Sequence, residues 1–415
     1  MSRELTQIEA MRIIRTVGAA GQPPALGTKY FTDGFDTILK LLDEDYFSSY
    51  LKQGGSAFKV VVGHYGGGKT HFLYLLRDLG WTHDFVVSYV SLTPEETPFH
   101  RLDLVYRSVV SGVVAPPGTE SPGGLIGMLK TTVARWRDKV PDATPEVLRT
   151  LAADATRDME NLNFQRAMRR ALAAVVEGGE DEETTAAVMA QWLSGQGFDR
   201  NLHGEHGILG PIDRSSAFSC LRSFARFVRQ AGYSGLIMLF DEAERAPSMS
   251  GKQKEFMLSN LRELIDESSR GTLPGALTAY AIPDHRFFDG KTGVYEAVKQ
   301  RIASMFDFYN PSGVRIDLEH LVPDQPRHLR SIGAKLWRVF ELAYGVQLAE
   351  ASANRAVSLL ADAALEAKFA DISFRRLFVQ SAVRAFEQLR RGGDVVLDER
   401  WASGLVDHYV GGGAA

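Results

Sequence analysis

The sequence contains little cysteine, little net charge and no long apolar run. Cys220 is the one cysteine among 415 residues, so no internal disulfide can form and a reducing compartment is expected. A net charge of −4 gives no global basic footprint for nucleic acid or an anionic membrane. No window reaches 18 apolar residues and the first residues lack a signal-peptide pattern, which argues against a membrane span. These absences predict a cytoplasmic protein.

Short apolar segments alternate with segments of helical periodicity. Buried strands are predicted for AFKVVVG, DFVVSYVSL, GLIMLFDEAE, GALTAYAIPD and GVRIDLEHL. Helices are predicted for residues 5–17, 34–53, 215–233, 251–271, 294–306 and most of 326–391, with another opening at the cap Thr97 and Pro98. After this helical region, DVVLDE near the end is a further candidate strand. The alternation predicts an α/β fold with a parallel sheet.

The octapeptide GHYGGGKT matches G-x-x-x-x-G-K-[ST] at each fixed position and lies between a predicted strand and a predicted helix. Glycines allow positive φ and bring backbone N–H groups close to phosphate, while the following helix directs its positive end toward the anion. Lys69 is expected to neutralise the β- and γ-phosphates, and Thr70 to ligate Mg²⁺. The predicted phosphate-binding residues are Gly63, His64, Tyr65, Gly66, Gly67, Gly68, Lys69, Thr70 and His71.

A pair of carboxylates, Asp241 and Glu242, ends the apolar segment GLIMLF. The carboxyl ends of strands are where α/β sheets hold ligands. Asp241 is expected to ligate Mg²⁺ directly or through water, and Glu242 to activate the attacking water as a general base. The second acid favours a hydrolysing ATPase over a GTPase or a small-molecule kinase. The long separation of Asp241 from Lys69 supports a helical insertion between them, in which no convincing strand is predicted.

These segments resemble the P-loop ATP-binding proteins of the BREX (bacteriophage exclusion) type, the BrxD-like group, within the AAA+ and initiator-like ATPases. The resemblance covers most of residues 55–305. It rests on GHYGGGKTHFLYLL, VSYVSLTPEETPFHRLDLVYRSVV, SFARFVRQAGYSGLIMLFDEAE with LSNLRELIDE, and GVYEAVKQRI. It implies an αβα-sandwich P-loop NTPase of the AAA+/ASCE type, with ATP and Mg²⁺ as ligands. The implied organisation is an ATPase core in 1–111 and 213–322, a helical insertion in 112–212 and a helical lid in 323–415.

The resemblance also suggests two arginines for the site. Arg301 matches the position of an arginine finger, which would act on a neighbouring subunit, and Arg375 or Arg376 matches a lid sensor, with Arg375 preferred. An ordinary surface charge is the alternative reading of each. Where a polar sensor is expected at the end of the strand LTAYAIPD, the sequence has Ile282, which weakens the case for efficient hydrolysis. Adenine contacts are expected from residues 24–36.

The resulting hypothesis is an ATPase that acts as a motor or regulator in a bacterial anti-phage defence complex. Its partners would be other defence-system proteins, and a finger acting in trans requires a homo-oligomer. An ATP-gated switch or scaffold with little turnover and a DNA-loading ATPase are the alternatives. DNA contact stays open, but the residues after 391 are too few for a winged helix.

Overall fold

The computed structural model describes residues 4–117, 122–140, 142–245, 249–289, 293–367, 373–392 and 395–411. Within these ranges the chain is an α/β protein with one six-stranded sheet, so the predicted class is confirmed. The strands are β1 (Ala57–Val62), β2 (Phe85–Ser91), β3 (Val113–Val114), β4 (Gly235–Asp241), β5 (Ala276–Ile282) and β6 (Arg315–Asp317).

Helices make up most of the remaining described structure, and none of them is long and apolar enough to cross a membrane. Residues Asp43–Tyr50 continue the second helix with π-helical hydrogen bonding. The α-helices are α1 (Gln7–Ala20), α2 (Asp36–Leu42), α3 (Lys69–Thr82), α4 (Leu102–Ser111), α5 (Gly124–Lys139), α6 (Pro145–Ala155), α7 (Leu162–Glu177), α8 (Glu180–Leu193), α9 (Arg200–Gly204), α10 (Ala217–Gln230), α11 (Gly251–Arg270), α12 (Gly293–Ile302), α13 (Gln325–Tyr344), α14 (Glu350–Glu366), α15 (Phe374–Arg391) and α16 (Glu399–Gly411).

The sheet has the strand order β3-β2-β4-β5-β1-β6. Strand β4 pairs in parallel with β2 and with β5, whereas β3 pairs antiparallel with β2, so the sheet is mixed rather than wholly parallel. The β2–β4 register places Ser91 opposite Asp241. The carboxyl ends of these two strands therefore bring polar side chains to one edge of the sheet.

Two compact units divide the chain. The first, called the glycine-loop unit, comprises Met1–Leu39, Val62–Leu75 and Asp317–Ala415. Its core lies among α1 and the C-terminal helices, where each large apolar side chain contributes about 2 kcal/mol through burial. The largest members of that core are Trp337, Phe31, Phe340, Phe378 and Phe386.

The second unit, called the sheet unit, comprises Lys40–Val61 and Leu76–Ile316. Every residue of β4 is buried, and α10 packs against this strand with its apolar face. Cys220 lies on that face with no exposed surface, and burial raises the pKa of its thiol to about 12. Cys220 is therefore a residue of the core.

Several local predictions were wrong. Helix α4 begins at Leu102 rather than at Pro98. The Thr97 hydroxyl donates to Ser91 O (2.7 Å) and accepts from Thr93 N (2.8 Å). These bonds close a turn, so the hydroxyl does not cap a helix. The segment predicted to lack strands contains β3, whose two residues are too few for a periodic signal. Residues 395–397 are not a strand, and the chain continues into α16.

Candidate functional site

The glycine loop follows β1 directly and ends where α3 begins, at Lys69. Gly66 and Gly68 have φ of 70° and 94°, in the left-handed region that glycine tolerates without strain. The loop turns through a hydrogen bond from Gly67 N to His64 O (2.8 Å). The sequence therefore places glycine at the positions where the backbone needs it.

Lys69 is the cationic centre of the loop. Its side chain is buried, and Nζ donates to Gly63 O (2.9 Å) and His64 O (3.3 Å). These bonds hold the ammonium at the neck of the loop. A positive charge fixed there, at the first residue of a helix, suits an anion such as phosphate.

Residues distant in sequence approach the loop closely. A Cβ placed on Gly66 would lie 2.1 Å from Ser373 Cβ, and one on Gly67 would lie 2.9 Å from Glu319 Oε1. Ser373 Oγ also donates to Gly66 O (2.9 Å). The loop thus needs small residues for two reasons, its backbone conformation and its contacts with the segment before α15.

His71, in the first turn of α3, packs against the rings of Phe31 and Phe35, with ring centroids 5.3 and 6.3 Å away. Burial, with a smaller contribution from the charge of His328, lowers the pKa of His71 to about 4, so the ring is neutral at pH 7. Thr32 Oγ1 donates to Thr28 O (2.8 Å) and lies 2.6 Å from His71 Nε2. Because a hydroxyl has one proton to donate, Nε2 of His71 must carry the ring proton.

Asp33 ties this N-terminal segment to α13. Its carboxylate accepts from Ser331 Oγ (2.5 Å) and Lys335 Nζ (3.3 Å) and lies 3.2 Å from His328 Nδ1. Burial raises the pKa of Asp33, but these three partners more than offset that effect and lower it below the ordinary value. The segment beside α3 is therefore held by a charged network rather than by apolar packing alone.

The two arginines at the start of α15 make different contacts. Arg375 pairs with Glu319, with Nη1 to Oε1 at 3.2 Å, and its side chain is 12% exposed. Arg376 stacks on the ring of Tyr65 at 4.7 Å and donates to its hydroxyl at 3.0 Å. Both arginines therefore belong to the surroundings of the glycine loop, and the preferred residue, Arg375, is the more enclosed.

In the sheet unit, Asp241 ends β4 and is 1% exposed. Its Oδ2 accepts from Tyr89 Oη (2.7 Å), and its Oδ1 accepts from Glu242 N (2.9 Å). Glu242 has φ of 62°, a conformation unusual for a residue with a side chain. Ser91 Oγ donates to Glu242 Oε2. The two acids are thus oriented by polar partners on the neighbouring strand.

Tyr89 and Ser91 were missed by the sequence analysis. They stand two residues apart on β2, so they share one face of the sheet, and both are less buried than the valines around them. A pair of polar residues on one face at the end of an apolar strand was the available signal. The contacts of Tyr89 and Ser91 with the two acids depend on the β2–β4 register, which a local sequence pattern does not predict.

Strand β5 places apolar atoms at its carboxyl end. Ile282 has no exposed surface, and the Tyr280 ring packs 5.1 Å from Phe99 and 6.1 Å from Phe240. Thr278 pairs with Met238, three residues before Asp241, and is too deep in the sheet to reach its edge. The side chain at the end of β5 is therefore apolar, and a link between Ile282 and slow hydrolysis stays a prediction.

Arg301 lies on α12 and pairs with α11. Nε and Nη2 donate to the two carboxylate oxygens of Asp266 at 2.6 and 3.1 Å, and Nη1 donates to Ala297 O at 2.8 Å. This fork geometry fixes the guanidinium plane, and the side chain keeps 29% of its surface exposed. Its role as a finger stays a prediction.

The residues fit ATP and Mg²⁺ by their chemistry. The glycine loop offers backbone N–H groups and an enclosed ammonium, which suit phosphate. The Thr70 hydroxyl and the Asp241 carboxylate are oxygen ligands, the kind that Mg²⁺ prefers.

Comparison with known proteins gives one result. The profile of a family described as the BREX system ATP-binding protein BrxC/D matches residues 6–403. No curated protein and no solved structure matches the chain significantly. The match covers both the glycine loop and the carboxylate pair.

Proposed function

Because the chain belongs to the family of BREX system ATP-binding proteins BrxC/D, we propose that it binds Mg-ATP at residues 63–70 and hydrolyses it within a bacterial anti-phage defence complex. The observation that carries this proposal is the glycine loop, with positive φ at Gly66 and Gly68 and a buried Lys69 at the start of a helix. The family description supports ATP as the ligand and other BREX components as partners.

We assign the ATPase core to 1–111 and 213–322, the helical insertion to 112–212 and the lid to 323–415. In this organisation the six-stranded sheet is the centre of an αβα P-loop domain of the AAA+ type. The parallel pairing of β2, β4 and β5 and the glycine loop after β1 support that fold. Phe35, which packs near Gly68 and against Phe72, makes the 24–36 segment our candidate for contacts with the adenine ring.

The chemistry follows from the carboxylate pair. Glu242 would take a proton from the attacking water, and the Ser91 hydroxyl would fix the direction of its carboxylate. Asp241, oriented by Tyr89, is our candidate Mg²⁺ ligand in the sheet unit, and Thr70 is our candidate in the glycine-loop unit. Bound Mg²⁺ would supply positive charge that stabilises the negative charge on the transferred γ-phosphoryl group and on the ADP leaving group. Lys69 would neutralise the β- and γ-phosphate oxygens.

The binding step is tested by measuring the affinity for ATP with Mg²⁺ and with EDTA. A divalent cation neutralises phosphate charge, so we expect ATP to bind at least about tenfold more weakly in EDTA. Isothermal titration gives both dissociation constants, and GTP under the same conditions tests the preference for adenine. Equal affinities with and without Mg²⁺ would remove Thr70 and Asp241 as metal ligands.

An ATP-gated switch with little turnover is the second candidate, and one contact favours it. The hydrogen bond from Ser91 occupies an oxygen of Glu242 that a water would otherwise use. A protein whose general base is held in this way would bind ATP without prompt hydrolysis. The carboxyl end of β5 adds no polar side chain at Ile282 to align a water.

We also propose that Arg301 acts on the nucleotide of a neighbouring subunit. We expect Arg301→Ala to slow phosphate release by about 1,000-fold while ATP still binds, since a finger stabilises the transition state rather than the bound ligand. Mixing Arg301→Ala with the slow variant Glu242→Gln should restore part of the activity, because some interfaces then combine an intact arginine with an intact base.

The matched control for this mixture combines Glu242→Gln with the single variant Asp362→Asn. This variant changes only a surface residue of the lid. Sedimentation with ATP must show an oligomer under the same conditions. If the Arg301→Ala and Glu242→Gln mixture stays inactive while the oligomer forms, Arg301 does not act between subunits.

A further inference from the structure

Glu319 places a negative charge beside the glycine loop. Leu318 N donates to Val62 O (2.9 Å), so the segment before Glu319 is bonded to the residue that enters the loop. The Asp317 carboxylate accepts from Glu319 N (3.1 Å) and fixes the next turn of the chain. A Cβ on Gly67 would lie 2.9 Å from Glu319 Oε1. The backbone that carries Glu319 is therefore fixed beside the loop, and its carboxylate lies close to Gly67.

Arg375 is the cation that faces this carboxylate. Its Nη1 and Nη2 lie 3.2 and 3.4 Å from the two oxygens of Glu319, and Nη2 also donates to Gln325 Oε1 at 3.2 Å. Arg375 Nε is buried, and it has no hydrogen-bond partner among the residues that the structure describes. The guanidinium is thus bound on one side and retains an unused donor.

The start of α15 is fixed independently of Arg375. Ser373 Oγ bonds to Gly66 O, and Arg376 bonds to Tyr65. The backbone that carries Arg375 is therefore held at the loop by its neighbours on both sides. A change of partner by Arg375 requires rotation of one side chain, without movement of the helix.

A carboxylate and a polyphosphate close to the same loop repel each other, and both are attracted to the same arginine. We propose that Glu319 competes with the terminal phosphate of ATP for Arg375 and so weakens ATP binding selectively. This inference rests on the ATP-binding function proposed above. Glu319 acts through Arg375 and is a positioning residue, whose charge sets how strongly the lid arginine holds the nucleotide.

The test replaces Glu319 with glutamine, which keeps the shape and removes the charge. We expect Glu319→Gln to bind ATP about tenfold more tightly than wild type and to bind ADP within about twofold, because the terminal phosphate is absent from ADP. Glu319→Asp keeps the charge and should retain an affinity for ATP close to that of wild type. Titration of Glu319→Gln and Glu319→Asp with ATP and with ADP in Mg²⁺ gives four affinities, and each is divided by the affinity of wild type for the same nucleotide.

A double-mutant cycle separates this role from a structural one. In an Arg375→Ala background, Glu319→Gln should gain at most about twofold in affinity for ATP, because the contested arginine is missing. Asp362→Asn removes another lid carboxylate, one that pairs with Arg330 on the surface, and should leave the affinity unchanged. This control excludes a general effect of lid charge.

Three results would overturn the inference. They are unchanged or weaker ATP binding by Glu319→Gln, an equal gain for ATP and ADP, and a full gain in the Arg375→Ala background. The thermal midpoint of each variant shows whether it is folded. If Glu319→Gln unfolds, Glu319→Asp replaces it as the test. A loss of ATP affinity in Glu319→Asp would also contradict the proposal. Failure of the wild type itself to bind ATP would instead reject the proposed function.

Discussion

Replacement of Lys69 with alanine is expected to weaken ATP binding by about 100-fold, the equivalent of losing a hydrogen-bonded charge worth about 3 kcal/mol. The ammonium is enclosed at the neck of the loop by the carbonyl groups of Gly63 and His64. Alanine removes the charge that would meet the β- and γ-phosphates. The helix after the loop should persist, since alanine is a strong helix former.

Titration with ATP in Mg²⁺ measures this loss. Lys40→Ala is the matched control, because the Lys40 side chain is 74% exposed and pairs only loosely with Glu44 at 3.7 Å. The control should bind ATP as wild type does, and both variants should keep the circular dichroism of the native fold. Equal ATP affinities of Lys69→Ala and wild type would place the nucleotide elsewhere.

Replacement of Glu242 with glutamine is expected to slow phosphate release by at least about 100-fold, within the range that one general base contributes. Glutamine can accept the Ser91 hydrogen bond but cannot take a proton from water. ATP binding should change by less than about threefold, since the amide keeps the shape and the ligands proposed for Mg²⁺ are other residues. The variant would therefore accumulate bound ATP.

Steady-state phosphate release and ATP titration on the same preparation separate chemistry from binding. Glu263→Gln removes an exposed carboxylate from α11 and serves as the control for charge in the sheet unit. It should release phosphate at the wild-type rate. If wild type and Glu242→Gln release phosphate equally slowly while both bind ATP tightly, the switch is the correct function.

The loop and the acids could be predicted because each is encoded locally. A run of valines followed by GHYGGGKT specifies a strand, a turn and a helix start within a few residues. In the same way, the sequence of the fully buried strand β4 is apolar up to Asp241. These elements depend on neighbours in sequence, and the structure gives them nearly the predicted bounds.

The partners of these groups could not be predicted, because they depend on contacts between distant segments. Ser91 reaches Glu242 only through the parallel register of β2 and β4. Glu319 and Arg375 meet beside Gly67 although the loop precedes them by hundreds of residues. Similarly, Thr97 matches the pattern of a helix cap, but its hydroxyl is taken by Ser91 O, and α4 begins later.

The central claim is that this chain cleaves the ATP that it binds, and a single-turnover experiment with γ-labelled ATP tests it most directly. With protein in excess of nucleotide and with Mg²⁺ present, we predict that wild type converts the bound ATP to ADP and free labelled phosphate, whereas Glu242→Gln retains intact ATP. Intact ATP on both proteins after hours of incubation, under conditions where sedimentation shows an oligomer, would contradict the claim.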